Sequence, residues 1–140
     1  MSDGVTKGNN LLAQNDFDGA LKTFYEVWSV ARNKPPAVLA MYNMGLIYAH
    51  PQNPQRNLQK AVSCFDQTIQ NSPTSPLAEQ ARVWIAVLRD FENAHEELEK
   101  SRQELEISKQ EAERNRLAIE KTKQEIERSR VELEKSRQEI

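Results

Sequence analysis

The sequence is poor in the residues on which most catalytic and metal-binding sites depend. Its 140 residues include one cysteine, Cys64, two histidines and four glycines. A single cysteine excludes an intramolecular disulfide, and the scattered glycines form no phosphate-binding loop. His50 and His95 do not form a close-spaced metal-ligand motif with Cys64. The sequence therefore predicts no cofactor, no metal site and no enzymatic activity.

Two further absences narrow the class of partner. The chain has 19 basic and 21 acidic residues and a net charge of −2, so it lacks the basic face that nucleic-acid binding requires. Its longest apolar run, from Val83 to Leu88, is far shorter than the roughly 20 residues of a membrane span. We expect no nucleic-acid partner and no membrane span, which leaves another protein as the partner.

Aromatic residues divide the chain into two parts. All of them lie between Phe17 and Phe91, whereas the sequence after Glu96 consists mainly of Glu, Lys, Arg, Gln, Ser and single aliphatic residues. Only the first part has enough apolar surface to bury a core, and that part is a small domain. We predict a helical domain over residues 1–90, capped by the start of a fifth helix, and an extended charged helix over residues 91–140.

Two segments of the first part repeat the same pattern of small and aromatic residues. Gly8, Ala20 and Phe24 have counterparts in Gly45, Ala61 and Phe65. A glycine or alanine lets two helix axes approach closely, and a large aromatic side chain fills the space beside them. The pattern predicts an all-α fold in which two helical hairpins are followed by one long helix. The expected helices lie near residues 5–14, 17–32, 36–50, 54–71 and 75 onward.

This arrangement resembles the tetratricopeptide repeat (TPR) family over residues 5–90. Gly8 and Ala20 are 12 residues apart, as in the family, whereas Gly45 and Ala61 are 16 apart. The four extra residues fall in the turn around Pro51-Gln52-Asn53-Pro54, which is either a contact loop or a tolerated insertion. Two repeats bury little surface alone, so we expect Trp84, Val87, Leu88 and Phe91 of the fifth helix to form the face that caps them.

The proline-rich joint of residues 71–81 resembles that of TPR and coiled-coil lipoproteins and periplasmic proteins of Gram-negative envelopes. This resemblance implies a periplasmic or outer-membrane-associated location if a signal peptide has been removed. No secretory signal is visible at the N-terminus, so the chain is otherwise expected to be cytoplasmic.

The TPR resemblance also implies a peptide groove formed by the first helix of each hairpin. The residues expected to line it are Asn9, Leu12, Tyr42, Asn43, Leu46 and Ala49. Asn9 and Asn43 match two asparagines of the carboxylate-clamp branch of the family, but Val5 occupies the position of its lysine, which argues against a C-terminal carboxylate ligand. Alternatively, Tyr42 and Leu46 pack against the next helix.

The C-terminal part repeats every seven residues, with an aliphatic residue at the same position of each heptad. Placing these residues at position a assigns that position to Leu98, Leu105, Ala112, Ile119, Ile126, Leu133 and Ile140. Trp84 and Phe91 extend the same spacing backward. Position d then holds Ser101, Ser108, Asn115, Thr122, Ser129 and Ser136. A seven-residue apolar period is typical of a helix that packs against another helix.

Charged residues of opposite sign flank this seam. Position g is acidic except at Ala118, and position e is basic. Candidate interhelical ion pairs join Glu97, Glu104, Glu125 and Glu132 to Arg102, Lys109, Arg130 and Arg137. In a parallel, in-register pair of identical helices each g residue lies near the following e residue of the partner. The pattern therefore favours a parallel homo-oligomer.

Position d weakens this prediction, because its polar residues halve the usual apolar seam. The same charges also pair within one helix, as in Glu99 with Arg102, and such pairs stabilise a single helix. A lone charged helix and partial disorder thus remain alternatives. Taken together, the sequence predicts a non-enzymatic protein–protein adaptor or scaffold, with hairpins that bind a partner and a helix that oligomerises or spaces. The alternative is a structural protein whose long helices assemble into a bundle or filament.

Overall fold

The computed structural model describes residues 3–139, and they contain five α-helices and no strand. The helices are α1 (Asp3–Ala13), α2 (Phe17–Ala31), α3 (Pro35–Ala49), α4 (Leu58–Asn71) and α5 (Pro76–Gln138). This confirms the predicted all-α class, with four short helices followed by one long helix. Two units are distinguished by their internal contacts, and we call residues 3–92 the hairpin unit and residues 93–139 the tail helix.

Local signals at the helix ends explain why the short helices begin where they do. The side chain of Asp16 accepts a hydrogen bond from Gly19 N at the start of α2, and Asn57 accepts one from Lys60 N at the start of α4. Such caps satisfy amide groups that have no partner inside the helix. α3 and α5 begin at Pro35 and Pro76, whose fixed φ suits the first turn of a helix, and at the start of α5 Ser75 Oγ also accepts a hydrogen bond from Ala78 N.

Each hairpin of the hairpin unit is closed by a glycine that faces an aromatic ring. A Cβ added at Gly8 would lie 2.6 Å from Phe24 Cζ, and one at Gly45 would lie 2.7 Å from Phe65 Cε1. Both rings are fully buried. The two glycines therefore permit a helix–helix approach that any side chain would prevent, which is the role predicted for them from the repeat.

α5 covers the second hairpin with a face that only partly matches the predicted one. The buried residues of its first part are Ala78, Ala81, Ile85 and Leu88. Of the residues predicted to form this face, Leu88 is buried and Trp84 packs against Phe65 and Tyr42, whereas Val87 is 50% exposed and Phe91 48%. The prediction was wrong for Val87 and Phe91 because it followed the large apolar side chains, although the small side chains of the two alanines allow the closest helix approach.

The lengthened turn between α3 and α4 is held in place by a buried asparagine. Asn53 is 4% exposed, its Nδ2 donates to Ile47 O at 2.9 Å, and its Oδ1 accepts from Gln55 N at 3.0 Å. The backbone NH of Asn57 also donates to Tyr48 O. Because this turn is an ordered part of the fold, α4 begins at Leu58 rather than near the predicted residue 54.

Every described residue of the tail helix is exposed. Residues 93–138 are helical, a length of about 70 Å at 1.5 Å per residue. With no core beneath it, this unit depends on helix propensity and on contacts between neighbouring turns.

Candidate functional site

The aliphatic residues at position a of the tail helix are uncovered apolar groups in a polar segment. Their exposed fractions are 48% for Leu98, 56% for Leu105, 57% for Ile119, 63% for Ile126 and 57% for Leu133. Ala112 is also exposed, and Ile140 lies outside the described residues. Large aliphatic side chains repeated at this spacing form an apolar strip that the polar residues of position d interrupt, and such a heptad row is typical of a surface that contacts another helix.

Arginines at position e form ion pairs within the tail helix. Arg102 lies 3.4 Å from Glu99, Arg116 lies 2.6 Å from Glu113, and Arg130 lies 2.8 Å from Glu127. Each pair joins residues three apart, one turn along the same helix. The Glu99–Arg102 pair is the one that the sequence suggested for a lone helix.

Two of these ion pairs shift the pKa values of their glutamates and arginines in the directions expected for a salt bridge. The hydrogen bond from Arg116 lowers the pKa of the Glu113 carboxyl, and the hydrogen bond from Arg130 lowers that of Glu127. The same hydrogen bonds raise the pKa of both arginines. The helix therefore keeps these groups charged, although exposed pairs of this kind contribute little to stability.

Charges are arranged around the tail helix so that the apolar strip remains uncharged. At 100° per residue, positions a and d are neighbours, position e lies on one side of them and position g on the other. The residues predicted to form interhelical pairs are all exposed and occupy these two flanks, namely Glu97, Glu104, Glu125 and Glu132 at g and Arg102, Lys109, Arg130 and Arg137 at e. The surface thus has an acidic border, an apolar centre and a basic border.

The residues predicted to line a peptide groove do not form a uniformly open surface. Asn9 is exposed on α1, and Leu12 is half-buried against the first core cluster. On α3, Asn43, Leu46 and Ala49 are half-buried.

Tyr42 is buried, so it adopts the alternative placement that the sequence left open. Its ring lies 5.6 Å from that of Phe65, and its Oη accepts a hydrogen bond from Trp84 Nε1 at 3.2 Å. This side chain is thus part of the packing between α3, α4 and α5.

A cleft over α3, between α2 and α4, was not predicted from the sequence. It has a volume of about 280 Å³ and is lined by Tyr25, Trp28, Met41, Met44, Tyr48, Lys60, Ser63, Cys64 and Gln67. Tyr25 and Trp28 pair across one helical turn with ring centroids 5.6 Å apart, and Tyr25 is 55% exposed. The spacing of these two aromatics on α2 was the available signal.

Cys64, which lines this cleft from α4, is a packing residue. It belongs to the first core cluster, and burial raises the pKa of its thiol to about 11. The thiolate is the reactive form of cysteine, so at neutral pH this thiol is protonated and a poor nucleophile.

The two histidines and the acidic residues form no recognisable site for chemistry. The ring of His50 lies 4.9 Å from that of Phe17, and its Nδ1 accepts a hydrogen bond from Gln52 N. Across residues 3–139 no group of three His, Cys, Asp or Glu side chains is placed to hold a metal ion.

Within residues 3–139, no helix combines the length and the apolar character that crossing a bilayer requires.

Comparison with known proteins identifies no relative of this chain. No family model, no curated protein and no solved structure matches it.

Proposed function

We propose that this protein is a non-enzymatic adaptor that pairs with a second copy of itself through the tail helix. In this proposal the hairpin unit is a TPR-like module that binds a protein partner, and the pairing brings two such modules together. The observation that carries the proposal is the strip of aliphatic side chains at position a, each about half exposed or more and bordered by opposite charges.

The charge borders favour a parallel pair over an antiparallel one. In a parallel, in-register pair, Glu104 of one copy lies near Lys109 of the other, and Glu125 near Arg130. In an antiparallel pair, g faces g and e faces e, so glutamates meet glutamates and basic residues meet basic residues. Such like-charge contacts oppose association.

The polar residues at position d favour reversible association. Ser101, Ser108 and Thr122 contribute little apolar surface, and a buried hydroxyl needs a hydrogen-bond partner. The ion pairs within the helix do not compete strongly with pairing, because Arg102, Arg116 and Arg130 keep 65% or more of their side chains exposed. We therefore expect an equilibrium between single and paired chains that depends on concentration.

Sedimentation equilibrium across a concentration series tests the pairing, and the chain offers a matched control. Leu105 and Ile119 lie at position a and are 56% and 57% exposed, whereas Leu117 and Ile107 lie at positions f and c and are both 55% exposed. The double variant Leu105→Ser/Ile119→Ser should remain monomeric at every concentration. The double variant Leu117→Ser/Ile107→Ser, which removes the same side chains from the outer faces, should associate as the wild type does.

Two outcomes contradict the proposal. A wild-type chain that stays monomeric at the highest attainable concentration excludes self-pairing. Equal loss of association in both double variants excludes position a as the specific contact and indicates general loss of apolar surface.

The adaptor role and the structural alternative differ in where the protein partner binds. Capture of partners from the native host should be lost in Asn9→Arg, which alters the predicted groove, and kept in Asn10→Arg, its exposed neighbour on α1. The Leu105→Ser/Ile119→Ser variant should still capture the partner. Loss of capture in that variant, with no effect of Asn9→Arg, supports a bundle or filament in which the hairpins only cap the helices.

A further inference from the structure

α5 presents a second apolar face inside the hairpin unit, next to the one that covers the second hairpin, and Trp84 lies on the border of the two because it also packs against Phe65 and Tyr42. Trp84, Val87 and Phe91 are 37%, 50% and 48% exposed, whereas Ile85 and Leu88 are buried. At 100° per residue the exposed face lies about a quarter turn from the buried one. A helix that only caps a small core has no physical need for a second row of large apolar side chains.

The side chains of this face are held in position before any partner arrives. Trp84 donates its Nε1 to Tyr42 Oη, and its ring stacks on that of Phe65 with a centroid distance of 6.3 Å and an interplanar angle of 8°. The guanidinium of Arg56 lies 5.3 Å from the centroid of the Phe91 ring. The polar atom of the tryptophan is therefore satisfied, and a fixed surface loses less conformational entropy on binding.

The spacing of these residues indicates that the partner on this face is a helix. Trp84 and Phe91 are seven residues apart and Val87 lies between them, which is the a–d–a spacing of a helix that packs along another helix. The same spacing continues in the sequence to Leu98, Leu105 and beyond. A helix with this spacing is supplied by the chain itself.

We propose that Trp84, Val87 and Phe91 pair with the same residues of a second copy, in parallel and in register. This inference rests on the proposed self-pairing and adds to it three consecutive apolar layers, including an apolar d position where the tail helix has serine, threonine or asparagine. The buried face of α5 lies about a quarter turn from the contact. The remaining helices of the two hairpin units therefore lie on opposite sides of the twofold axis.

Disulfide cross-linking of the full-length chain tests this pairing. In a parallel, in-register pair, equivalent d positions lie close to each other, within reach of a disulfide. With Cys64→Ala as the background, Val87→Cys reports on the hairpin unit and Ser108→Cys on the tail helix. Ala86→Cys is the matched control, because Ala86 is the exposed neighbour of Val87 and faces about 100° away. We expect Val87→Cys and Ser108→Cys to form dimers at least about tenfold faster than Ala86→Cys.

The outcomes separate this inference from the proposed function. Rapid cross-linking through Ser108→Cys with none through Val87→Cys overturns the inference and leaves tail pairing intact. Absence of cross-linking at both positions rejects both. Equal rates for Val87→Cys and Ala86→Cys indicate random collision and overturn the inference.

A second measurement does not depend on an introduced thiol. Phe91→Ala should raise the dissociation constant of the pair by about tenfold or more, as loss of a buried aromatic contact predicts. Arg89→Ala, a nearby exposed position on another face of α5, should leave it unchanged. An unchanged dissociation constant for Phe91→Ala, with pairing otherwise normal, contradicts the inference. An apolar peptide would then be the occupant of this face.

Discussion

The hairpin unit and the tail helix are both helical, but different forces keep them so. In the hairpin unit, Phe24, Ile47 and Phe65 are completely buried, and each short helix is stabilised by packing against its neighbours. In the tail helix every described residue is exposed, and the contacts within it join side chains one turn apart. Helices of 11 to 15 residues are marginal in water without tertiary contacts. The stability of the hairpin unit should therefore depend strongly on a few residues, and the helicity of the tail helix should depend weakly on many.

The largest effect should come from emptying the second core cluster. Phe65→Ala removes a fully buried ring, and such changes cost about 3–5 kcal/mol. Since small domains have a total stability of only about 5–15 kcal/mol, the hairpin unit should be close to unfolding. Guanidinium unfolding followed by tryptophan fluorescence measures this loss, because Trp28 and Trp84 both lie in that unit.

Leu105→Ala provides the comparison from the tail helix. It removes a large apolar side chain that is 56% exposed, so the tryptophan transition should not move. A similar shift of the unfolding transition in Phe65→Ala and Leu105→Ala would show that the hairpin unit does not depend on its buried core more than on the tail helix.

A smaller loss should follow removal of the asparagine that holds the α3–α4 turn. Asn53→Ala leaves Ile47 O without its side-chain donor and removes the acceptor of Gln55 N. Ile47 O keeps a donor in His50 N, so the expected cost is that of two lost hydrogen bonds of about 0.5–1.5 kcal/mol each, or about 1–3 kcal/mol in total. The same fluorescence-detected unfolding measures the change. Gln52→Ala, at an exposed neighbouring residue, should have no comparable effect, and equal effects would rule out the buried amide as the cause.

One substitution should make the hairpin unit more stable. Arg32, at the end of α2, has φ 48° and ψ −98°, in the region that favours glycine. The backbone NH of Lys34 donates to Ala31 O across this turn, so the conformation is fixed locally. Arg32→Gly should raise the unfolding free energy by about 1 kcal/mol, because a strained residue of this kind costs about 1–3 kcal/mol.

Thermal unfolding of Arg32→Gly and Asn33→Gly checks this prediction. Asn33 has no positive φ, so glycine there should give no gain and should lower the stability slightly. A fall in the melting temperature of Arg32→Gly indicates that the arginine side chain contributes more than the backbone strain costs.

The smallest effect should be seen in the tail helix on acidification. The pKa values of Glu113 and Glu127 are lowered by their arginine partners, so their contribution to helicity is present at neutral pH. It is lost as the pH falls through these lowered values, below the ordinary glutamate pKa of about 4.3. Far-ultraviolet circular dichroism of dilute protein should show a slight loss of helicity on acidification.

Charge-neutral variants identify the source of this loss. Glu113→Gln/Glu127→Gln should reduce the pH response, and Glu104→Gln/Glu125→Gln, which removes two charges from position g, should reduce it less. An equal reduction in both variants would mean that total charge, not the two arginine pairs, controls the response.

Much of the fold follows from the sequence because its signals are local. Pro35, Pro76 and Asp16 lie at helix starts, and α2 and α3 were predicted within one residue of their observed bounds. The start of α4 was missed because the preceding turn depends on Asn53, whose buried hydrogen bonds join residues brought together only by folding. Similarly, no pattern in the sequence distinguished half-buried Leu46 from buried Tyr42, which Trp84 reaches from 42 positions away.

By itself, the sequence determined that the chain is helical, that two Gly–Ala–Phe hairpins precede a heptad-patterned helix, and that Leu98, Leu105 and their equivalents share one face. These are consequences of steric limits, capping and helical period, which act over a few residues. Only the tertiary structure decided which side of α5 is buried. Ala78, Ala81, Ile85 and Leu88 face the core because small side chains permit close approach, and this leaves Trp84, Val87 and Phe91 exposed.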